Sequence, residues 1–179
     1  MPADPAALAD EANIVLTGFM GTGKSTVGRL VAERLGRRFV DTDALIESRH
    51  GPIPRIFAEH GEAHFRQLER DVAAELAARS GLVVATGGRT MLDPVNEASL
   101  GTSGTVVCLA ASVAQLVIRL RDEAEHRPLL QGDDPAGRVA ALLAEREEAY
   151  GRFPQVATDG RTPAEVADAV VSLVLADRR

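Results

Sequence analysis

Lysine is nearly absent from this chain. Of its 20 basic residues, 19 are arginine and one, Lys24, is lysine. Tryptophan is absent, and the single cysteine, Cys108, cannot form an intramolecular disulfide. Because Cys108 lies in the apolar run 106–109, we expect a buried and unreactive thiol rather than a catalytic one. A cytoplasmic, reducing location fits a chain without disulfides.

Excess positive charge and long hydrophobic runs are also missing. The net charge is −6 and the isoelectric point is near 5.3, which argues against a nucleic-acid-binding protein. No apolar run reaches the ~18–20 residues that span a bilayer, so we expect no membrane partner. Residues 1–12 have neither the basic start nor the apolar core of a signal peptide. We expect them to form a flexible tail before a single domain at 13–179.

Short apolar runs alternate with helical patterns along the domain. Strands are predicted at 13–17, 39–40, 82–85, 105–109 and 155–158. Helices are predicted at 26–35, 44–49, 53–60, 62–79, 112–120, 135–150 and 163–176. Strands that are apolar throughout and separated by helices indicate a parallel sheet covered on both faces, which is an α/β fold. Residues 121–134 are polar and form the longest predicted loop within the domain.

The only lysine lies in a phosphate-binding motif. Residues 18–25, GFMGTGKS, match G-x-x-x-x-G-K-[ST], follow a predicted strand and open a predicted helix. In this arrangement, backbone N–H groups and the helix N-terminus surround the β-phosphate. Lys24 would contact the β- and γ-phosphates, and the Ser25 hydroxyl would bind Mg²⁺. The alternative, a glycine-rich turn before an ordinary helix, leaves the position of the only lysine unexplained.

Two acids follow the second predicted strand. The next two predicted strands, 82–85 and 105–109, are followed by Thr86 and Ala110, which offer no carboxylate, so Asp41 is the candidate for holding Mg²⁺, directly or through water. Asp43 would then face the hydroxyl group that accepts the phosphoryl group. The alternative for Asp43 is an N-cap on the helix predicted at 44–49.

Several motifs follow one another along the chain. They are GFMGTGKST at 18–26, DTD at 41–43, FRQLE at 65–69, the glycine pair at 87–88, RPLL at 127–130 and ER-x-x-x-Y at 145–150. Their sequences and their order resemble those of the shikimate kinase family, and the similarity extends from about residue 13 to 175.

This resemblance implies a fold and an activity. The fold is that of nucleoside monophosphate kinases, with a three-layer arrangement and five parallel strands in the order 2-3-1-4-5. A substrate-binding segment would cover about 42–80, and a mobile lid about 121–134. The activity is the ATP-dependent phosphorylation of the 3-hydroxyl of shikimate, a step toward chorismate and the aromatic amino acids. Members of such families are often monomers, and we expect a monomer here.

The loop motif and the resemblance together predict the site residues. The nucleotide would contact Gly21, Thr22, Gly23, Lys24, Ser25, Thr26, Arg119, Arg127 and Pro163. The substrate would contact Asp43, Arg66, Gly87, Gly88 and Arg146. Lys24, Asp43 and Arg127 would be catalytic, and Ser25 and Asp41 would hold Mg²⁺.

The chemistry of the arginines agrees with an anionic polyol as substrate. A planar guanidinium binds a carboxylate through two hydrogen bonds, which suits arginine better than lysine. Glu69 lies three residues after Arg66 and could fix its guanidinium. The alternatives are a plain surface ion pair for Arg66 and a solvated charged helix face at 144–148 for Arg146.

The resemblance breaks at Arg89, where the family usually has a third glycine. A glycine needed there for positive φ would leave Arg89 strained. Otherwise the backbone is compatible and the side chain either points away or enters the substrate pocket as a further candidate ligand. This keeps open a kinase for another small polyhydroxylated acid, sugar or cyclitol, similar to gluconate kinases. A nucleotide-binding regulatory module without turnover is the third hypothesis.

Overall fold

Five parallel strands form one sheet, with the first strand at its centre. The computed structural model describes residues 12–121 and 134–177. The strands are β1 (Asn13–Gly18), β2 (Arg38–Asp41), β3 (Leu82–Ala85), β4 (Gly104–Ala110) and β5 (Gln155–Ala157). Their order is β2-β3-β1-β4-β5, and every neighbouring pair is parallel. The predicted α/β class and strand order are therefore confirmed.

Seven α-helices connect these strands within the described ranges. They are α1 (Lys24–Leu35), α2 (Thr42–His50), α3 (Ile53–Ala77), α4 (Pro94–Ser103), α5 (Val113–Arg121), α6 (Pro135–Gly151) and α7 (Pro163–Ala176). The two helices predicted at 53–60 and 62–79 join as α3, with a break at Gly61, whose φ is 80°. Among the described residues, no helix is long and apolar enough to cross a membrane.

Helix α4 was not predicted, although its start carries a recognisable signal. The Asp93 carboxylate accepts a hydrogen bond from the Val95 N–H, and Pro94 occupies the first turn. An acidic N-cap followed by proline is a common helix start. Apolar periodicity in α4 is weak because only two of its residues, Asn96 and Leu100, are buried.

Alternate residues of β1 face two hydrophobic layers. Ile14 and Leu16 pack with α1 and α7 on one face of the sheet. Val15 packs with α2, α3 and α4 on the other face. This alternation follows from the two-residue period of a strand, and it confirms that helices cover both faces. The predicted tail and lid, including Arg127, lie outside the described residues except at their edges.

The thiol of Cys108 is buried in β4, as predicted. Burial raises its pKa to about 11, with a small opposing effect from the positive charge of Lys24. The thiol is therefore protonated at neutral pH, and a protonated thiol is a poor nucleophile.

Gly28 lets α1 approach the ring of Phe39 on β2. A Cβ atom at position 28 would lie 2.5 Å from Phe39 Cε2. We expect Gly28→Ala to lower the free energy of unfolding by about 1–3 kcal/mol, since over-packing forces buried groups to shift. Urea denaturation measures this effect. Gly101→Ala is the matched control, because a Cβ there meets nothing within 4 Å, and it should be neutral or stabilising. Equal stability of the two variants would contradict the prediction.

Candidate active site

The glycine-rich loop joins β1 to α1 with Lys24 folded across it. Gly21 and Gly23 have φ values of 80° and 92°, a region that favours glycine. The Lys24 ammonium donates to the carbonyl oxygens of Gly18 at 2.8 Å and Phe19 at 2.9 Å. The ammonium is thus held at the mouth of the loop, beside the N-terminus of α1.

The side chain of Thr22, one of the residues predicted to contact the nucleotide, lies inside the loop. Its hydroxyl donates to the Phe19 carbonyl at 2.8 Å, its backbone N–H points to the same oxygen, and the side chain is buried. Thr22 therefore stabilises the turn of the loop from inside. Thr26, by contrast, is exposed beside the loop.

Ser25 and Asp41 lie together at the carboxyl edge of the sheet. The Ser25 hydroxyl donates to Asp41 Oδ2 at 2.5 Å. The other oxygen of Asp41, Oδ1, accepts from the Ala44 N–H at 3.1 Å and caps α2. The alternative that Asp43 is the cap is therefore wrong, because Asp41 occupies the N-cap position and Asp43 lies in the first turn.

Asp43 is half-buried next to Gly87. A Cβ atom at position 87 would lie 2.7 Å from Asp43 Oδ1, so only glycine allows this approach. Burial, followed by the negative charges of Asp41 and Glu69, raises the pKa of Asp43 to about 6, while Lys24 opposes the shift. The neighbouring Thr42 hydroxyl accepts from the Gly87 N–H at 3.1 Å and fixes the distance between β2 and β3.

Two clefts flank the loop. The first, of about 260 Å³, brings together Lys24, Ser25, Asp41, Asp43, Gly87 and Gly88, as predicted for the reacting groups. The second, of about 350 Å³, is lined by Thr26, Arg119 and Pro163, the residues predicted near the nucleotide base. Gly21, Gly23 and Thr26 line both clefts, which therefore meet at the loop.

Arg119 links the loop to the end of β5. Its Nη1 donates to the Gly21 carbonyl at 3.2 Å and to the Thr158 hydroxyl at 2.9 Å. Its Nη2 donates to the Thr158 carbonyl at 3.1 Å. These bonds hold the guanidinium plane in place, so that its face can form a wall of the second cleft.

Arg66 lies on α3 between two carboxylates. Nη1 donates to Glu69 Oε2 at 2.6 Å, while Nε and Nη2 approach Glu62 Oε1 at 3.3 and 3.1 Å. Glu69 is only 3% exposed, and its Oε1 accepts from the Thr90 hydroxyl at 2.8 Å. The prediction that Glu69 fixes Arg66 is confirmed, and the alternative of a plain surface pair is wrong because Glu69 is buried.

Arg146 is buried, so the alternative of a solvated helix face is wrong. Its guanidinium lies 5.0 Å from the centre of the Phe19 ring, and Nη1 has no hydrogen-bond partner within residues 12–121 and 134–177. A Cβ atom at Gly88 would lie 3.7 Å from this Nη1. The nearby Tyr150 hydroxyl donates to the Gly88 carbonyl at 2.6 Å. Neither Phe19 nor Tyr150 was predicted to support the site, although Tyr150 ends one of the recognised motifs.

Arg89 has an unstrained backbone, with φ −113° and ψ −6°. Its side chain is about half exposed, and Nη1 lies 3.6 Å from Glu62 Oε1. Arg66, Arg70 and Arg89 all line a third cleft, of about 470 Å³. The side chain therefore turns toward the surroundings of Arg66 rather than into the cleft that contains Lys24 and Asp43.

These features define the P-loop kinase fold. It has a five-stranded parallel sheet of order 2-3-1-4-5, and a glycine-rich loop joins the central strand to the first helix. Asp41 and Asp43 at the sheet edge next to the loop, and the clefts on both sides of the loop, agree with that class.

Comparison with known proteins narrows the class to one family. The model of the family described as shikimate kinase matches residues 20–175. A shikimate kinase of Geobacter metallireducens is 50% identical over 139 residues, which are 77% of this chain and 77% of that protein. A shikimate kinase of Geobacter sulfurreducens is 45% identical over 168 residues, which are 93% and 92% of the two chains. The chain belongs to the shikimate kinase family.

Solved structures agree with this assignment. The shikimate kinase from Acinetobacter baumannii in complex with shikimate has a TM-score of 0.87 and 37% identity, covering 97% of this chain and 98% of the other. A gluconokinase from Sinorhizobium meliloti has a TM-score of 0.62 and 24% identity over 93% of this chain and 95% of that one. At that identity the likeness concerns the fold alone.

Proposed function

We propose that this protein transfers the γ-phosphoryl group of ATP to the 3-hydroxyl of shikimate. The proposal depends on one observation: Lys24 and Asp43 line the same cleft. Gly88, which also lines this cleft, lies against the buried guanidinium of Arg146. The reaction requires three groups. An ammonium binds the phosphates, a carboxylate faces the acceptor hydroxyl, and a second cation binds the carboxylate of the acceptor.

The nucleotide would bind along the two clefts beside the loop. Its base would lie against Arg119 and Pro163 and its phosphates against the loop N–H groups and Lys24. Ser25 and Asp41 would hold Mg²⁺, which would neutralise negative charge on the phosphates. No cluster of three or more metal-ligating side chains occurs in the described ranges, so phosphate and water oxygens would have to complete the coordination sphere. Arg127 is proposed to reach the phosphates from the lid.

The acceptor would bind between α3, α6 and the glycine pair. Arg66 and Arg146 are proposed to bind its carboxylate, and the backbone of Gly87 and Gly88 its ring. The unpartnered Nη1 of buried Arg146 supports this assignment, because a buried N–H group without an acceptor is costly and an anionic oxygen would satisfy it. Segment 42–80, which contains α2 and α3, would then be the substrate-binding region.

Asp43 is proposed to orient the attacking hydroxyl and to accept its proton. A pKa near 6 leaves the carboxylate ionised at neutral pH and still basic enough to share a proton in the transition state. The developing charge on the transferred group would be stabilised by Lys24 and, from the lid, by Arg127. A closed site would exclude water and thereby limit ATP hydrolysis.

The test is ADP release measured with shikimate, gluconate and several cyclitols as acceptors, with the product examined by phosphorus NMR. We expect turnover with shikimate and a phosphate on its 3-hydroxyl. The methyl ester of shikimate is the matched control acceptor, because it keeps the ring hydroxyls and loses the negative charge. Its KM should be raised at least tenfold if arginines bind the carboxylate.

Two outcomes would contradict the proposal. Turnover restricted to gluconate or a cyclitol would favour the kinase of another polyol. Tight ATP binding without turnover on any acceptor would favour a regulatory nucleotide-binding module.

A further inference from the structure

The guanidinium of Arg66 has one side that is firmly occupied. Glu69 accepts from Nη1 at 2.6 Å, is almost fully buried, and has its second oxygen bonded to Thr90. Because this carboxylate is hydrogen-bonded at both oxygens and excluded from solvent, it keeps its position next to Arg66. The edge formed by Nε and Nη2 makes no hydrogen bond to Glu69, and it is an edge at which a carboxylate can form two hydrogen bonds.

Glu62 occupies that edge in the structure. A single oxygen, Oε1, lies 3.3 Å from Nε and 3.1 Å from Nη2, both longer than the bond to Glu69. The Glu62 side chain is 56% exposed, and solvent-exposed ion pairs contribute little to stability. Glu62 is thus a weakly held carboxylate at the position where a substrate carboxylate would form two hydrogen bonds.

The backbone allows Glu62 to leave Arg66 by side-chain rotation alone. Gly61, with φ 80° and ψ 172°, breaks α3 immediately before Glu62. Glu62 therefore starts the second half of the helix and projects from its first turn. No change in helix packing is needed for its carboxylate to move toward solvent or toward another cation.

Arg89 is the cation placed to receive Glu62. Its Nη1 is already 3.6 Å from Oε1 of that glutamate. Arg70, the third arginine of the cleft, is engaged by Asp93 at 2.7 Å. If a substrate carboxylate occupied Arg66 while Glu62 stayed unpaired beside it, two negative charges would repel each other at short range. Pairing with Arg89 removes that repulsion.

We propose that Glu62 is a built-in competitor for the substrate carboxylate at Arg66, and that Arg89 is a positioning residue which holds Glu62 once the substrate has displaced it. The proposal rests on the proposed function, because it assumes an acceptor that carries a carboxylate. Arg89 acts through Glu62 and does not contact the substrate. It sets how tightly a carboxylate is bound, and so contributes to selectivity for acidic acceptors.

A double-mutant cycle of Glu62→Gln and Arg89→Gly tests this coupling. Glu62→Gln should lower the KM for shikimate about three- to tenfold, because glutamine keeps the shape and removes the competing charge. Arg89→Gly should raise that KM about three- to tenfold in the wild-type background and by less than 1.5-fold in the Glu62→Gln background. Both effects should fall on the KM for shikimate rather than on kcat or the KM for ATP.

Two variants serve as controls. Arg89→Lys keeps the charge near Glu62 and should restore most of the wild-type KM. Arg70→Gln removes one positive charge from the same cleft, at a residue held by Asp93, and should change the KM for shikimate less than twofold. Calorimetric titration of each folded variant with shikimate gives the Kd as an independent measure.

Several results would overturn the proposal. An equal rise in KM for Arg89→Gly in both backgrounds would place Arg89 in direct contact with the substrate. A higher KM for Glu62→Gln would mean that Glu62 supports binding instead of competing with it. These outcomes presuppose turnover with shikimate. Absence of wild-type turnover with shikimate would instead contradict the proposed function, so the two failures are distinguishable.

Discussion

Replacing Lys24 with alanine is expected to lower kcat/KM about 10³-fold. The ammonium is held at the mouth of the loop by the carbonyl oxygens of Gly18 and Phe19, so its charge is in place before the nucleotide arrives. A preorganised charge at a developing negative charge typically contributes 10²–10³-fold in rate. Steady-state kinetics with saturating shikimate and varied ATP measures the loss.

Two variants separate the role of Lys24 from a general effect of charge. Lys24→Arg keeps the charge but replaces a compact ammonium by a planar group, and it should recover only part of the activity. Arg29→Gln removes a charge from the exposed face of the same helix and should change kcat/KM less than twofold. Retention of more than a tenth of the activity by Lys24→Ala would contradict the assignment.

The scarcity of lysine provides a second measurement on the same residue. An amine-reactive reagent can modify only one side chain, Lys24, besides the chain's terminal amine. We expect ATP with Mg²⁺ to protect Lys24 from modification, as measured by mass spectrometry of the intact protein. Modification at an unchanged rate would contradict a phosphate contact.

Replacing Asp43 with asparagine is expected to lower kcat by 10²–10⁴-fold, the range that general base catalysis contributes. Asparagine has the same shape and fits beside Gly87, so the KM for ATP should change little. Asp168→Asn is the control, since it removes a carboxylate that is two-thirds exposed and pairs with Arg34 in the last turn of α1. A fall in kcat of less than tenfold for Asp43→Asn would exclude Asp43 as the base.

The same substitution should stabilise the metal-free fold at neutral pH. Burial and the charges of Asp41 and Glu69 raise the pKa of Asp43 from 3.8 to about 6. The folded state therefore binds the proton more tightly than the unfolded state, and ionisation of Asp43 costs stability as pH rises from about 4 to 6. Since Asp43 is half-buried, we expect Asp43→Asn to gain about 1–2 kcal/mol at pH 7.5.

Urea denaturation in the presence of EDTA at pH 4.5 and 7.5 measures that gain. The gain should fall by more than half at pH 4.5, because Asp43 is then almost fully protonated in the folded chain, whereas in the unfolded chain, with a pKa of 3.8, it is still mostly ionised. A gain that is the same at both pH values would mean that the carboxylate is not destabilised by its surroundings.

Local patterns predicted the parts of the site that depend on contiguous residues. Eight residues define the loop, and the strand before it and the helix after it were visible from apolar periodicity. Asp41 was located because it directly follows a strand. The strand order came with the family resemblance, since short apolar runs carry no information about which strands are neighbours in the sheet.

Contacts between distant segments were not predictable in the same way. Nothing in the local pattern indicates that Glu62 on α3 meets Arg89, or that the Phe19 ring supports Arg146, because these contacts depend on how helices pack on the sheet. The fact that Asp41, and not Asp43, caps α2 has a local cause. The helix predicted at 44–49 begins two residues earlier, at Thr42, and therefore takes its cap from Asp41 at the strand end.

The buried cation of Arg146 has a consequence for inhibitor discovery. A guanidinium nitrogen that lacks an acceptor within the described chain is already desolvated, so a compound that supplies an anionic oxygen there regains a strong interaction without first having to strip water from the arginine. Fragment screens monitored by thermal shift should therefore be enriched in small carboxylates, whose affinity per heavy atom should exceed that of neutral fragments occupying the same volume.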